Sequence, residues 1–409
     1  MNADRTKVQI WAFALLLFSL AVKGVQDASA VQGYALVSTP AALAAFKGIS
    51  DYIAIASLAV YAGAAFVTAN GLSLRIMPII HVLVLCYYYL RSYHVGSGDS
   101  TNLAAVPVVL LFLAALLLQD TNQAKEILVK ALGIFFATYI VLSILLFVAG
   151  YGYTTSGARF AGMTSHPNSH GAYAALAAGY FSAQLILRKR RSRSLSISAI
   201  LLAASIAMAM LSGSRSAVLM VLAALGLALP MNRKIMIGAA VLASVLLAFF
   251  ALNLVSPDSA ISSALNRMQA APTDNRNEVW SVLITDFYDY PFAGAGDRSG
   301  VSGSGYLSAL SGCGVVLGGL FIANFLSATA TAAIGIFKQL LSKLSDSDDA
   351  IFSVLLIQTA TGSLFEAFMF DKFGLIQLLT VGLLFAGSRR LRTGSKSRSA
   401  AKSIGARPD

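Results

Sequence analysis

Three arginines stand just ahead of apolar segments, and their type and placement suit the binding of an anion. Arg276 occupies the first position of an amphipathic stretch, where the positive end of the helix macrodipole disfavours a cation by about 0.3–1 kcal/mol unless an anion is shared. Its partner is either a loop carboxylate such as Glu278 or a phosphate held jointly by the guanidinium and the first amides of the helix. Arg215, in Leu211-Ser212-Gly213-Ser214-Arg215-Ser216, repeats the arrangement in a turn between two apolar runs, where snorkelling is the simpler alternative. Arg159, in Gly157-Ala158-Arg159-Phe160-Ala161-Gly162, precedes the helix entrance His166-Pro167-Asn168. A single anionic ligand, best a diphosphate, accounts for all three together.

Other chemistry finds little support. His166 and His170 have the i, i+4 spacing of a zinc pair, but Pro167 lies between them and no acidic motif accompanies them, so a helix entrance capped by Asn168 or Ser169 is the better reading. The chain has no phosphate-cradling Gly-rich loop ending in Lys-Ser/Thr, no nucleophile elbow and no Asp-x-Asp pair for a metal on a nucleotide-sugar. No metal and no cofactor is expected. Cys86 and Cys313 both sit in apolar runs and build neither a disulfide framework nor a thiolate site.

The elements that must position the arginines are membrane helices. Of 409 residues 57% are hydrophobic and only 12% charged, far from the roughly 25% charged of a soluble domain. A formal charge of +12 would suit nucleic acid, but the cations lie between apolar runs of membrane-spanning length, so no nucleic-acid partner is expected. The expected fold is all-α and polytopic, with twelve spans near 8–25, 51–70, 76–91, 102–119, 126–149, 170–187, 195–212, 216–229, 235–255, 305–336, 350–368 and 373–387. Nine spans thus occupy residues 1–255, a large outer loop covers 256–304, three spans occupy 305–388, and a basic tail fills 389–409.

With both termini inside, 21 of the 30 Lys and Arg residues fall on the inner side, as the positive-inside rule requires of a bacterial inner membrane. Residues 8–22 followed by Ala28-Ser29-Ala30 also resemble a signal peptide, though an uncleaved first helix is the preferred reading. The tail, rich in Arg, Lys, Ser and Gly, reads as a disordered end that meets anionic lipid. Within the outer loop, Val279, Trp280, Leu283, Ile284, Phe287 and Tyr288 form one apolar helical stripe, capped by Asn275 with Glu278 three residues on and stopped by Pro291.

On this frame the chain resembles the bacterial O-antigen ligase and O-antigen/exopolysaccharide polymerase superfamily. Arg159-Phe160-Ala161-Gly162 through Pro167-Asn168-Ser169-His170-Gly171 is similar to the family's Arg-Phe-x-Gly and Pro-Asn entrance, and Ser212-Gly213-Ser214-Arg215-Ser216-Ala217 to its Gly-Ser-Arg turn. Arg276-Asn277-Glu278-Val279-Trp280 with Tyr290-Pro291-Phe292-Ala293-Gly294-Ala295-Gly296 resembles its Arg-x-x-x-Trp helix and Pro-Leu-x-Gly-x-Gly segment. Gly305-Tyr306-Leu307 to Gly312-Cys313-Gly314-Val315 matches the end of a further element, but Gly303-Ser304 stand where ligases carry His-Asn. The motifs cover roughly 157–318.

The resemblance implies a metal-independent glycosyltransferase acting on the periplasmic face. Its donor would be a polyprenyl-diphosphate-linked saccharide and its acceptor a hydroxyl of a growing glycan chain, with membrane lipid around it and a chain-length regulator as a further partner. The missing His favours polymerase over ligase. Arg215 and Arg276 are the expected diphosphate ligands with Arg159 as a third, and Asp297, in Gly296-Asp297-Arg298, is the expected catalytic base ahead of Glu278, Asp289 and His166. A ligase that moves glycan to a lipid core or protein, and a transporter of an anionic solute, are the competing readings. Charges in broken helices at the membrane midplane would favour transport, and Glu366, near the outer end of the eleventh span, is the main charge in any span.

Overall fold

A computed structural model of the chain describes residues 2–23, 37–69, 72–95, 100–154, 159–164, 166–187, 192–228, 276–298, 303–342, 347–367, 370 and 374–387. Twelve helices lie among them: α1 (Asn2–Val22), α2 (Ala41–Val67), α3 (Ile76–Val95), α4 (Ser100–Leu117), α5 (Thr121–Val148), α6 (Pro167–Leu187), α7 (Ser192–Leu211), α8 (Arg215–Ala228), α9 (Arg276–Asp289), α10 (Gly305–Ser342), α11 (Ser347–Gly362) and α12 (Leu375–Gly387). The fold is all-α, and five helices, α1, α2, α3, α5 and α10, are long and apolar enough to cross a membrane. Every expected span falls on a helix except 235–255, which lies outside the described residues with the tail 389–409 and the segment Ala28–Ala30.

Two packing centres hold the helices together. In the first, Phe13 of α1 stacks on Phe112 of α4 and tilts against Tyr61 of α2, with ring centroids 5.5 and 5.4 Å away. The first helix is therefore part of the core. In the second, α6 packs on α7, α8 and α11. Ala172 and Ala174–Ala178 of α6 are almost wholly buried, because small side chains let helix backbones approach closely where the hydrophobic effect does not separate protein from lipid. Gln358 of α11 ties this group together, its Nε2 donating to the carbonyls of Ala175 in α6 (2.7 Å) and Met220 in α8 (3.0 Å).

Two expected elements differ in detail. The span 305–336 is one run of sequence but two helices in space, broken at Gly314 (φ 74°, ψ 177°), a backbone conformation that is essentially glycine's alone. A break inside a membrane helix strands backbone groups that lipid cannot satisfy. The segment after α9 supplies the partners: Val315 N donates to Pro291 O (2.7 Å), while Ala295 N and Gly296 N donate to Ser311 O (2.6 Å) and Gly312 O (3.1 Å). The span 350–368 ends early, at Gly362, so Glu366 lies beyond the helix in a turn rather than within it.

Of the expected loop 256–304, residues 256–275 and 299–302 lie outside the described residues; its helix forms as the periodicity requires and stops at Asp289, two residues before Pro291. Its capping residue Asn275 lies outside the described residues. The apolar stripe divides on packing against α10: Leu283 is only 3% exposed, whereas Ile284 and Tyr288 face outward, the latter 75% exposed. One flank of α9 thus meets the bundle and the other stays open, as a helix lying in a headgroup layer would present it.

Candidate functional site

Arg159 owes its position to a short antiparallel pairing rather than to a helix. Tyr153 pairs with Phe160 across it, Thr154 N donates to Arg159 O (2.9 Å), and Arg159 N donates back to Thr154 Oγ1 (3.1 Å). Burial raises the Tyr153 phenol to about 12, so that group is a neutral wall of the pairing at physiological pH. From this frame the Arg159 side chain reaches two other segments. Its Nε donates to Ser212 O at 3.0 Å, in the turn that carries Arg215, and its Nη2 donates to Asn168 Oδ1 at 2.8 Å, at the start of α6.

The contact continues through Asn168 to a residue almost two hundred positions away. Asn168 Nδ2 donates to Glu366 Oε1 (3.0 Å), and Ser216 Oγ, in the first turn of α8, donates to the same oxygen (3.4 Å). Around them, Ser214 and Ser216 share a hydroxyl hydrogen bond (2.9 Å), and Ser212 Oγ accepts from Ser214 N (3.1 Å). Gly171 permits the approach, since a Cβ there would stand 2.9 Å from Ala217 Cβ and 3.1 Å from Ser214 Cβ.

The start of α10 joins the same cluster. Gly305 N donates to Ser363 O (2.8 Å) and Glu366 O (3.1 Å), so the turn after α11 accepts an orphan N–H of the next helix. Gly303, two residues earlier, is pressed against the first turns of α9. A Cβ on it would come within 2.6 Å of Val279 Cγ1 and 3.2 Å of Trp280 Cδ1. A glycine at this position is therefore a packing requirement of this chain. Trp280 Nε1 is buried beside Gly303 and lacks a hydrogen-bond partner among the described residues.

The expected site residues fall into two groups. Arg159 and the Arg215 turn are joined directly, and Arg215 is the first residue of α8 as anticipated. Arg276 likewise opens α9, whose Val279 and Trp280 abut Gly303, while its side chain lies outside the description. Asp297 is anchored through its backbone: its amide donates to Ser92 Oγ near the end of α3 (3.0 Å), and Arg91 Nε donates to Gly294 O (3.0 Å). Of the other carboxylates, Glu278 and Asp289 are on exposed positions of α9. His166 folds back as a local acceptor, with Asn168 N donating to its Nδ1 (3.2 Å). His170, the second member of the spacing pair, is wholly buried against Tyr139 and Phe160, its Nδ1 2.7 Å from Tyr139 Oη, and so packs as a core residue.

Glu366 is the residue whose part in the cluster the sequence understated. A single carboxylate after an apolar run carries no local signal, and only its contacts with Asn168 and Ser216 mark it. The cluster is a half-buried set of one carboxylate, two guanidinium-bearing segments, hydroxyls and an amide, all at one end of the helices. Such a set can hold an anionic leaving group and accept a proton. Compared with known proteins, the chain matches no family model and no curated sequence.

Proposed function

We propose that the protein is a multi-pass glycosyltransferase of the O-antigen ligase and polymerase superfamily, polymerising lipid-diphosphate-linked oligosaccharide units on the periplasmic face of a bacterial inner membrane. The observation that supports it is the hydrogen-bonded chain Arg159–Asn168–Glu366–Ser216, which joins segments resembling separate family motifs into one cluster at a single end of the bundle.

In this reading an acceptor hydroxyl oxygen attacks the anomeric carbon of the donor sugar. The bond from that carbon to the diphosphate oxygen breaks, and the diphosphate departs with the electron pair. Arg215 and Arg276 stabilise the charge developing on the diphosphate, with Arg159 holding the turn and contributing as a third cation. No metal is required by this chemistry, since a polyprenyl diphosphate is already a good leaving group and the site needs only fixed cations at the developing negative charge and restricted water. The hydroxyl proton goes to a carboxylate. Glu366, hydrogen-bonded to Asn168 and Ser216 within the arginine cluster, is favoured for that over Asp297, the carboxylate nearest the altered element in the sequence.

The tight packing at Gly303 favours polymerase over ligase, because a histidine side chain there would displace Val279 and Trp280. The break in α10 is a feature that transporters share, but its freed backbone groups are bonded to the 291–296 segment, and the charged cluster sits on helix ends and turns. The test is purified protein supplied with a lipid-diphosphate repeat unit and read by product length. Elongated glycan on the carrier is the expected result. Transfer of one preformed block to a different lipid would identify a ligase, and movement of the substrate across the membrane without bond formation a transporter.

A further inference from the structure

At the other end of the bundle a cleft of about 410 Å³ opens between α10, α11 and α12, a volume within the roughly 300–1,000 Å³ of small-molecule sites. It lies at the opposite end of α11 from the Glu366 turn, because Asp349 in the first turn of that helix lines it. Its polar wall contains Arg75 and Lys125 facing Asp349. Arg75 is only 3% exposed and rigidly mounted. Its guanidinium lies over the Phe385 ring at 4.7 Å, Nη1 donates to Phe385 O (2.7 Å) and Nη2 to Thr121 Oγ1 (2.8 Å). Lys125 pairs with Asp349. Among the described lining residues these three charges sum to +1.

The other walls are apolar or small. Ala328, Thr331, Ala332 and Gly335 recur at i, i+3, i+4 and i+7 along α10 and present a shallow face to the cleft. A Cβ on Gly335 or on Gly387 would meet no atom within 4 Å, so real space exists beside both glycines. Next to this face, Ile334 and Phe337 are 55% and 62% exposed, as lipid-facing residues of a membrane helix are.

We propose that this cleft binds the phosphate head of an anionic phospholipid, with the start of one acyl chain along the small-residue face of α10. A phosphodiester carries one negative charge, which matches the net charge of the wall, and a fixed guanidinium is the side chain best suited to phosphate oxygens. Free phosphate would satisfy the charges but leave the apolar part of the lining, Phe352, Leu356, Leu383 and Leu384, wet. The chain's own final segment is a poor occupant, because residues 389–407 carry seven Lys or Arg and would be repelled by Arg75 and Lys125. By the distribution of Lys and Arg this end faces the cytoplasmic leaflet, where anionic lipids attract basic protein surfaces. The inference is independent of the glycosyl-transfer reading.

The test uses the full chain in detergent and native mass spectrometry with phosphatidylglycerol, phosphatidylcholine or inorganic phosphate. One phosphatidylglycerol should remain bound at a collision energy that removes phosphatidylcholine. Gly335→Phe, whose Cβ meets no atom within 4 Å and whose ring would occupy the small-residue face, and Lys125→Gln should each lower that retention at least fivefold, while thermal unfolding of the lipid-free variants stays close to that of the parent. Equal retention of the two phospholipids, or undiminished phosphatidylglycerol on Gly335→Phe, would overturn the proposal. So would protection against unfolding by inorganic phosphate as strong as that by phosphatidylglycerol.

Discussion

Arg159 already uses Nε and Nη2 within the protein, so its first task is to hold the Ser212 turn against the start of α6. Arg159→Lys should therefore behave almost like Arg159→Ala, because an ammonium cannot reach both acceptors in the fixed geometry of a guanidinium. Arg215→Ala and Arg276→Ala are expected to abolish polymer while leaving the protein inserted at normal levels. Loss of a charge-assisted contact in a water-poor site costs about 2–5 kcal/mol, and Lys should rescue only in part. Polymer on a gel from cells carrying each variant measures it, and near-normal product from both Ala variants would remove the diphosphate assignment. For the proton acceptor, Glu366→Gln should slow turnover by about 10²–10⁴, the usual contribution of a general base, whereas Asp297→Asn should change it little. The reverse pattern would give the role to Asp297. Gly303→His should not create a ligase; the crowding at Val279 and Trp280 should instead lower stability by about 1–3 kcal/mol, visible as an earlier thermal transition.

Among the elements, α10 and α11 do the most to shape the site. The break at Gly314 and the segment 291–296 exchange three backbone hydrogen bonds, so each explains the glycines of the other. Gly314→Ala would place a side chain in a glycine-only conformation and toward the backbone of Phe292 and Ala293. The expected cost is about 1–3 kcal/mol or more, accompanied by faster amide hydrogen exchange at Val315 and Ala295. On α11, Gln358 binds the same two helices, α6 and α8, whose first turns present Asn168 and Ser216 to Glu366. Gln358→Leu should cost about 0.6–1.7 kcal/mol, the range for interhelical hydrogen bonds in membrane proteins. It should also lower activity more than it lowers the amount of folded protein, since it loosens the spacing of the cluster.

For the molecule as a whole, the two ends of the bundle differ in chemistry. Arg75, Lys125 and Asp349 gather at one end, and the arginine turn, Glu366 and the start of α10 at the other. The proposed orientation puts the first end in the cytoplasm. A thiol introduced at the exposed Ser281 of α9 should then react with an impermeant reagent added outside intact cells, and one at the exposed Lys338 of α10 only after the membrane is opened. The opposite labelling pattern would invert the molecule and place the arginine cluster away from a periplasmic substrate.

What the sequence by itself determined is the helices among the described residues and two of their starting residues. Apolar length, turn residues and capping are properties of neighbours in the chain, and Arg215 and Arg276 begin α8 and α9 where those local signals indicate. It also carried the two glycine segments as separate motifs. Only the tertiary structure decided that these segments are hydrogen-bonding partners, that a single apolar run is broken at Gly314, and that Glu366 closes on Asn168 and Ser216. Those contacts join residues far apart in the chain, and a membrane helix has no hydrophobic pattern that selects its neighbour, since lipid tails are as apolar as leucine. Neighbours are chosen instead by close packing of small residues and by a few buried polar contacts such as that of Gln358, and these exist only once the helices have met.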